Sequence, residues 1–257
     1  MLDWSKFSGK FHESWHQKMQ PFIESNECET IFKFLKQESG EGRVISPSSD
    51  NLFRAFKWPL DNIKVVIVGY CPYHTQKGSQ LVANGVCMST DIYNFIPPSL
   101  EQFYNGLEKE LYDGMSLKYE QVGDLGYLMD QGVFLINAAL TTQLNVAGKH
   151  QEIWQPFIKH LFEVCLAPTN VPVVFLGNEA YKCRQYLLPM QHFFKCSHSA
   201  ASTYNNEEWS TESLHNGKTK CTKTFTQINN ILNDMNGTTI SWLKLYEEPS
   251  WETPPWD

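Results

Sequence analysis

No stretch of the 257 residues approaches the roughly 18 consecutive apolar side chains of a bilayer-spanning helix. None joins a basic start to an apolar run and a small-residue cleavage site. The expectation is a protein with no membrane partner, not secreted, working in the cytoplasm or at the nucleoid. Paired cysteine spacing is also missing. The seven cysteines (28, 71, 87, 165, 183, 196 and 221) are odd in number and contain no CxxC, which argues against a disulfide framework and a zinc site and fits reduced thiols. Arginine is scarce, at Arg43, Arg54 and Arg184 only, and the formal charge is −7. An acidic balance argues mildly against nucleic acid, and any phosphate contacts would lean on lysine, hydroxyls and backbone N–H groups. Charge is uneven, however: Lys218, Lys220 and Lys223 cluster in HNGKTKCTK, while Glu247, Glu248, Glu252 and Asp257 gather at the end of the chain. Internal repeats and long low-complexity segments are absent too.

What is present is a 42% apolar chain, enough for one continuous core. IKVVIVG (63–69) is a run of branched apolar residues closed by glycine, the pattern of a strand covered on both faces. GVFLINAAL (132–140), VPVVFLG (171–177) and HFFKCS (192–197) repeat it. Between them lie helical patterns at 98–111, 152–166, 178–188 and 222–235. Two short helices are predicted within 15–37, and another over 50–56 that Pro59 ends. This alternation predicts a three-layer α/β/α fold around a central, mainly parallel four-stranded sheet. The domain is expected to span 1–246, with an acidic, aromatic tail over 247–257.

Ligands of such sheets bind beyond the carboxyl ends of the strands. The loops there hold Cys71, Tyr73 and His74 after the first strand, Asn137 at the second, Gly177 and Asn178 at the third, and His198 at the fourth. A single histidine is more often structural, and a single cysteine is usually a small buried hydrophobe. The meeting of all four strand ends is what points to a site.

In order and wording the motifs resemble those of the uracil-DNA glycosylases. GYCPYH (69–74) stands for the family's G-Q-D-P-Y-H, and GVCMS (85–89) for its G-L-C-F-S. IPPSLEQFYNGLEKEL matches the Pro-rich loop and helix, LINAALT (135–141) the base-reading segment, and FLGNEAYK the phosphate loop. HSAAST (198–203) holds the place of H-P-S-P-L-S, and ISW (240–242) that of a final I-D-W. The resemblance runs from about residue 45 to 243. It implies a DNA partner, an extruded pyrimidine nucleotide, no cofactor and no metal, and a monomer. Asn137 would read the base edge, His198 would bond the O2 oxygen of the leaving base, and Tyr73 would exclude a C5 methyl. Pro97, Pro98, Ser99, Gly177, Asn178, Ser199, Ser202 and Thr203 would meet the DNA.

The chemistry departs from that pattern. Cys71 occupies the position of the Asp that orients the attacking water, Met88 that of the ring stacked on uracil, and Tyr70 that of a Gln. The segment between His74 and Gly85 is about four residues longer than usual, and Ser202 replaces an apolar wedge. The implied function is a DNA glycosylase with altered base preference, for a modified cytosine or uracil of the kind found in phage DNA. Its catalytic set is expected to be Cys71, His198 and His74, and its base-binding set Tyr70, Tyr73, Met88 and Asn137. The alternative is an inactive glycosylase-fold protein that binds DNA or a protein. The tail YEEPSWETPPWD reads as an unstructured terminus, or else as a docking segment for a protein partner.

Overall fold

A computed structural model describes residues 2–112, 118–201 and 208–246. The expected Ser202 and Thr203 contacts and the 247–257 tail lie outside the described residues. The four predicted strands are present: β1 (Val65–Gly69), β2 (Val133–Asn137), β3 (Val173–Leu176) and β4 (Phe193–Cys196). Every residue of β1, β2 and β3 is buried, at roughly 1.5–3 kcal/mol for each Val, Leu, Ile or Phe removed from water. β1 lies between β2 and β3, and these pairings, like that of β3 with β4, are parallel.

Two further strands, β5 (Ser213–His215) and β6 (Thr219–Cys221), add antiparallel to β4. They extend the sheet to six, ordered β6-β5-β4-β3-β1-β2. Their turn is Asn216–Gly217, both residues at positive φ, as a tight hairpin turn requires. Asn-Gly is thus the sequence signal for this hairpin, inside a stretch otherwise legible only as a basic loop.

The helices are α1 (His16–Ile23), α2 (Asn26–Gly40), α3 (Pro98–Tyr112), α4 (Gly126–Asp130), α5 (Gln155–His160), α6 (Asn178–Tyr181) and α7 (Thr224–Asn236). Ser25 caps α2 by accepting the Cys28 N–H at 3.2 Å. The predicted 152–166 helix starts at α5 and continues as a π-helical stretch, Leu161–Leu166. The 178–188 helix tightens to 3₁₀ geometry after Tyr181, and the 50–56 segment is a 3₁₀ turn over Arg54–Lys57. Trp15 and Phe56 pack with Phe134 of β2, and Phe157 of α5 packs with Phe56 and with Phe22 of α1, with ring centroids 4.9–5.7 Å apart. With α2 packed on α1 and α5, these helices form one layer. Phe103, Trp209, Phe225 and Trp242 join α3 to α7 as the other. The result is the three-layer α/β/α arrangement. No helix among the described residues is long and apolar enough to cross a membrane.

Candidate active site

The strand order places a switch point between β1 and β3, because the chain leaves β1 toward β2 and returns across it to β3. A crevice opens there, beyond the carboxyl ends. The register makes those ends flush: Gly69 pairs with Asn137, and Leu176 with Cys196. A cavity of about 260 Å³ follows, lined by Gly69, the whole 70–74 segment, Cys87, Met88, Ser99, Asn137, Ala147, Leu176, His198 and Ala200. It is smaller than the roughly 300 Å³ at which drug-sized ligand pockets begin, a scale suited to a single ring system. The seven residues expected for catalysis and base binding, Tyr70, Cys71, Tyr73, His74, Met88, Asn137 and His198, all border it.

Gly69 makes the crowding at the floor feasible. A Cβ there would lie 2.3 Å from Cys87 Sγ and 2.6 Å from Asn137 Oδ1, so only glycine lets the amide approach β1 this closely. After Gly69 the chain turns, and Tyr73 is pinned at both ends. Its hydroxyl donates to the Met88 carbonyl at 3.2 Å and pairs with Ser99 Oγ at 3.0 Å, while its carbonyl accepts from Ser46 Oγ at 2.7 Å. The Met88 carbonyl is presented by an unusual backbone, with φ at +60° in a non-glycine residue, a conformation that disfavours a side chain by about 1–2 kcal/mol. His74 borders the cavity, and its carbonyl accepts the Asn145 N–H at 2.6 Å.

Cys71 is a neutral thiol. Burial pushes its pKa up to about 11, even though the Gly148 N–H donates to the sulfur. The thiolate fraction at pH 7 is then about 10⁻⁴. Sequence reasoning missed the segment supplying that bond. Asn145 and Gly148 both have positive φ, and a Cβ on Gly148 would fall 1.8 Å from the Tyr70 hydroxyl. Asn and Gly in NVAGK are the visible trace of this turn.

His198 is held in one neutral form. Its Nδ1 accepts the Ala200 N–H at 3.0 Å, which leaves the ring proton on Nε2 as a donor. Burial lowers its pKa below the ordinary histidine value, so the ring is uncharged at neutral pH. Next to the cavity, sharing Tyr70, His198 and Ala200 with it, lies an open recess of about 520 Å³ lined by Gly177, Asn178, Glu179 and Ala201. Glu179 is ion-paired with Lys182 at 2.6 Å and stays ionised.

The remaining expected DNA contacts are distributed differently. Pro98 begins α3, and the Pro97 carbonyl accepts the Leu100 and Glu101 N–H groups. Ser99 is buried with its hydroxyl committed to Tyr73. Ser199 is 1% exposed, so its hydroxyl is closed off from solvent, and the Ala200 and Ala201 N–H groups that follow it are already donated to His198. Among the described residues no group of three or more His, Cys, Asp or Glu is placed to hold a metal.

A flush set of parallel strand ends around a small cavity, with an amide and a neutral imidazole on its wall, defines an α/β protein whose candidate site lies at the switch point of its sheet. The comparisons agree. The chain is 30% identical over 237 residues to the uracil-DNA glycosylase of Azobacteroides pseudotrichonymphae, covering 91% of this chain and 99% of the relative. It is 34% identical over 182 residues to that of Francisella tularensis subsp. novicida, covering 68% and 76%. The crystal structure of mimivirus uracil-DNA glycosylase superposes with a TM-score of 0.75 at 25% identity, covering 91% of this chain and 88% of that one. No family model matches. The chain belongs to the uracil-DNA glycosylase family.

Proposed function

We propose that the chain is a pyrimidine-DNA glycosylase whose rate rests on stabilising the departing base rather than on activating water. The observation that carries this reading is the His198 ring: neutral, proton on Nε2, fixed through Nδ1, at the wall of the cavity that Asn137 also borders. In a largely dissociative cleavage the C1′–N1 bond breaks with its electron pair going to the base, and charge develops on O2. A fixed neutral donor strengthens its bond as that charge appears. Asn137 supplies both a donor and an acceptor for the base edge. Water then adds to C1′ and releases its proton to solvent. The half-buried Cys71 thiol, its pKa pushed up to about 11, neither takes that proton at neutral pH nor acts as a nucleophile.

The base preference follows from Tyr73. Its ring is half-buried in the cavity wall and its hydroxyl tied to Met88 and Ser99, which argues against a bulky group at C5, despite the room a missing stacking ring leaves at Met88. The favoured substrate is a pyrimidine carrying little or nothing at C5, uracil first. Oligonucleotides bearing uracil, 5-hydroxymethylcytosine or glucosylated cytosine, incubated with the protein and probed for alkali-labile abasic sites, test this. Release of uracil that collapses in His198→Ala supports it. Excision of only the 5-substituted bases overturns the preference.

A second reading, DNA binding without turnover, is favoured by one observation: the residue at the water-orienting position is an uncharged thiol. The Gly148 N–H that reaches it is a donor a carboxylate would accept. Cys71→Asp therefore tests this reading directly: uracil excision by the variant alone, with DNA bound equally by both proteins, would establish it.

A further inference from the structure

We infer that the hairpin widening the sheet is a second DNA-binding surface, on which Lys195, Lys220 and Arg184 hold phosphates of the strand after it has left the pocket. The inference rests on the glycosylase reading above and extends it to a face that reading leaves unused.

Side chains alternate across β4, β5 and β6, and the two faces they make are unlike. On one, His215 stacks on Phe194 with ring centroids 4.4 Å apart, and Ser213 Oγ accepts from Thr224 Oγ1 of α7 at 2.7 Å. That face is covered. On the other, the register sets Leu214 between Lys195 and Lys220, and this leucine is 41% exposed. Arg184 lies 4.5 Å from the centroid of the Phe193 ring, on the same face as Lys195, whose Nζ lies 4.6 Å from that of Tyr181. Neither cation is in an ion pair among the described residues. Lys220 pairs with Glu212 at 2.7 Å with both side chains well exposed, a contact worth little in water and readily given up to a phosphate. On a chain of formal charge −7, cations without buried acid partners mark where a polyanion is drawn.

The chemistry of the base leads from the pocket to this face. His198 donates to O2, and the carbon bearing O2 is bonded to N1, which carries the sugar. The backbone of an extruded nucleotide therefore leaves on the His198 side. His198 lines the open recess as well as the cavity, and Asn178, the first residue of α6, lines the recess with it. The single turn of α6 ends at Tyr181, beneath Lys195, and a Cβ on Gly217 in the hairpin turn would lie 3.2 Å from the Tyr181 hydroxyl. One helical turn thus joins recess to hairpin. Lys195 and Lys220 stand two strand spacings apart, about 10 Å, or about three nucleotides at ~3.4 Å each. A row of cations on an open sheet face suits a backbone charged at every unit.

The test uses the full chain and a fluorescein-labelled single strand of about 30 nucleotides with one uracil, its affinity read by anisotropy from about 50 to 200 mM salt. Each phosphate contact adds about 0.7 to the slope of log affinity against log salt. The double variant Lys195→Gln, Lys220→Gln should flatten that slope by about 1.4 and weaken binding about 10- to 30-fold near 0.1 M salt, at an unchanged melting temperature. Lys195→Arg with Lys220→Arg should keep both. Leu214→Glu, which leaves every cation in place, should weaken the same binding by adding an anion to the row. Affinity for a four-nucleotide strand, too short to span pocket and face, should stay within about twofold in every variant. An unchanged slope in the double glutamine variant, or an equal loss on the four-nucleotide strand, overturns this inference alone. Failure of the unaltered protein to bind DNA of either length overturns the glycosylase reading and this inference with it.

Discussion

Gly69 and Asn137 pair Cα to Cα at the carboxyl ends of β1 and β2, and the amide occupies the space a side chain at position 69 would need. Gly69→Ala should therefore act on chemistry as well as folding. The added methyl meets Cys87 Sγ and Asn137 Oδ1, an overpacking worth roughly 1–3 kcal/mol. A lower melting temperature and at least a tenfold slower excision are expected, since an amide displaced by even 1 Å misreads the base edge. An unchanged rate would detach Asn137 from base recognition.

His198→Ala should slow excision by about 10²–10³-fold, the effect of losing one preorganised donor. Acid should produce a related loss. Burial holds the folded-state pKa below the unfolded value of about 6.5. Between these two values the unfolded chain carries a proton that the folded chain does not. Stability from this group is complete above about pH 6.5 and declines as the pH falls below it. Protonation also removes the Nδ1 lone pair that accepts from Ala200. Melting temperature and single-turnover rate, followed from pH 8 to 5, should fall together. A rate that rises in acid would contradict the neutral-donor role.

Cys71 should alkylate slowly at neutral pH, because its thiol pKa is near 11 and only the thiolate reacts. Cys28, Cys87, Cys165, Cys183 and Cys196 are buried, while Cys221 is partly exposed. Iodoacetamide labelling is therefore best followed by peptide mass in a Cys221→Ser background. The labelling rate should keep climbing up to about pH 10. Cys71→Ser should leave any native excision within about threefold, a level at which an essential nucleophile is ruled out. Full inactivation by that exchange would restore a catalytic thiolate.

Tyr73 carries the clearest prediction about specificity. Tyr73→Phe removes the hydrogen bonds to Met88 and Ser99 and should lower stability by roughly 1–2 kcal/mol while leaving the ring wall in place. Tyr73→Ala should open the cavity toward C5. Competition between uracil and thymine oligonucleotides measures this: thymine release should appear only in the alanine variant. If it stays absent there, some other group closes the C5 side.

Much of the framework was legible in the order of residues. Four buried runs, each closed by glycine, asparagine or serine, fixed the parallel strands, because branched apolar side chains without alternation need cover on both faces. GYCPYH, LINAALT and HSAAST then put Cys71, Asn137 and His198 at strand ends. The hairpin over Ser213–Cys221 was hidden, since short edge strands with polar side chains carry little period-2 signal beyond their Asn-Gly turn. The loop at 145–148 was hidden as well, for its contacts with Tyr70 and Cys71 join residues some 75 positions apart in the way only folding arranges.

By itself the sequence determined which groups stand at the ends of the strands, because hydrophobic periodicity and glycine punctuation are local properties. Only the tertiary structure decided what those groups are chemically: a thiol kept protonated by burial, an imidazole held with its proton on Nε2, and a tyrosine tied down by Met88 and Ser99. Protonation state and side-chain direction depend on desolvation and on partners brought from distant positions, and neither is written in any short stretch of residues.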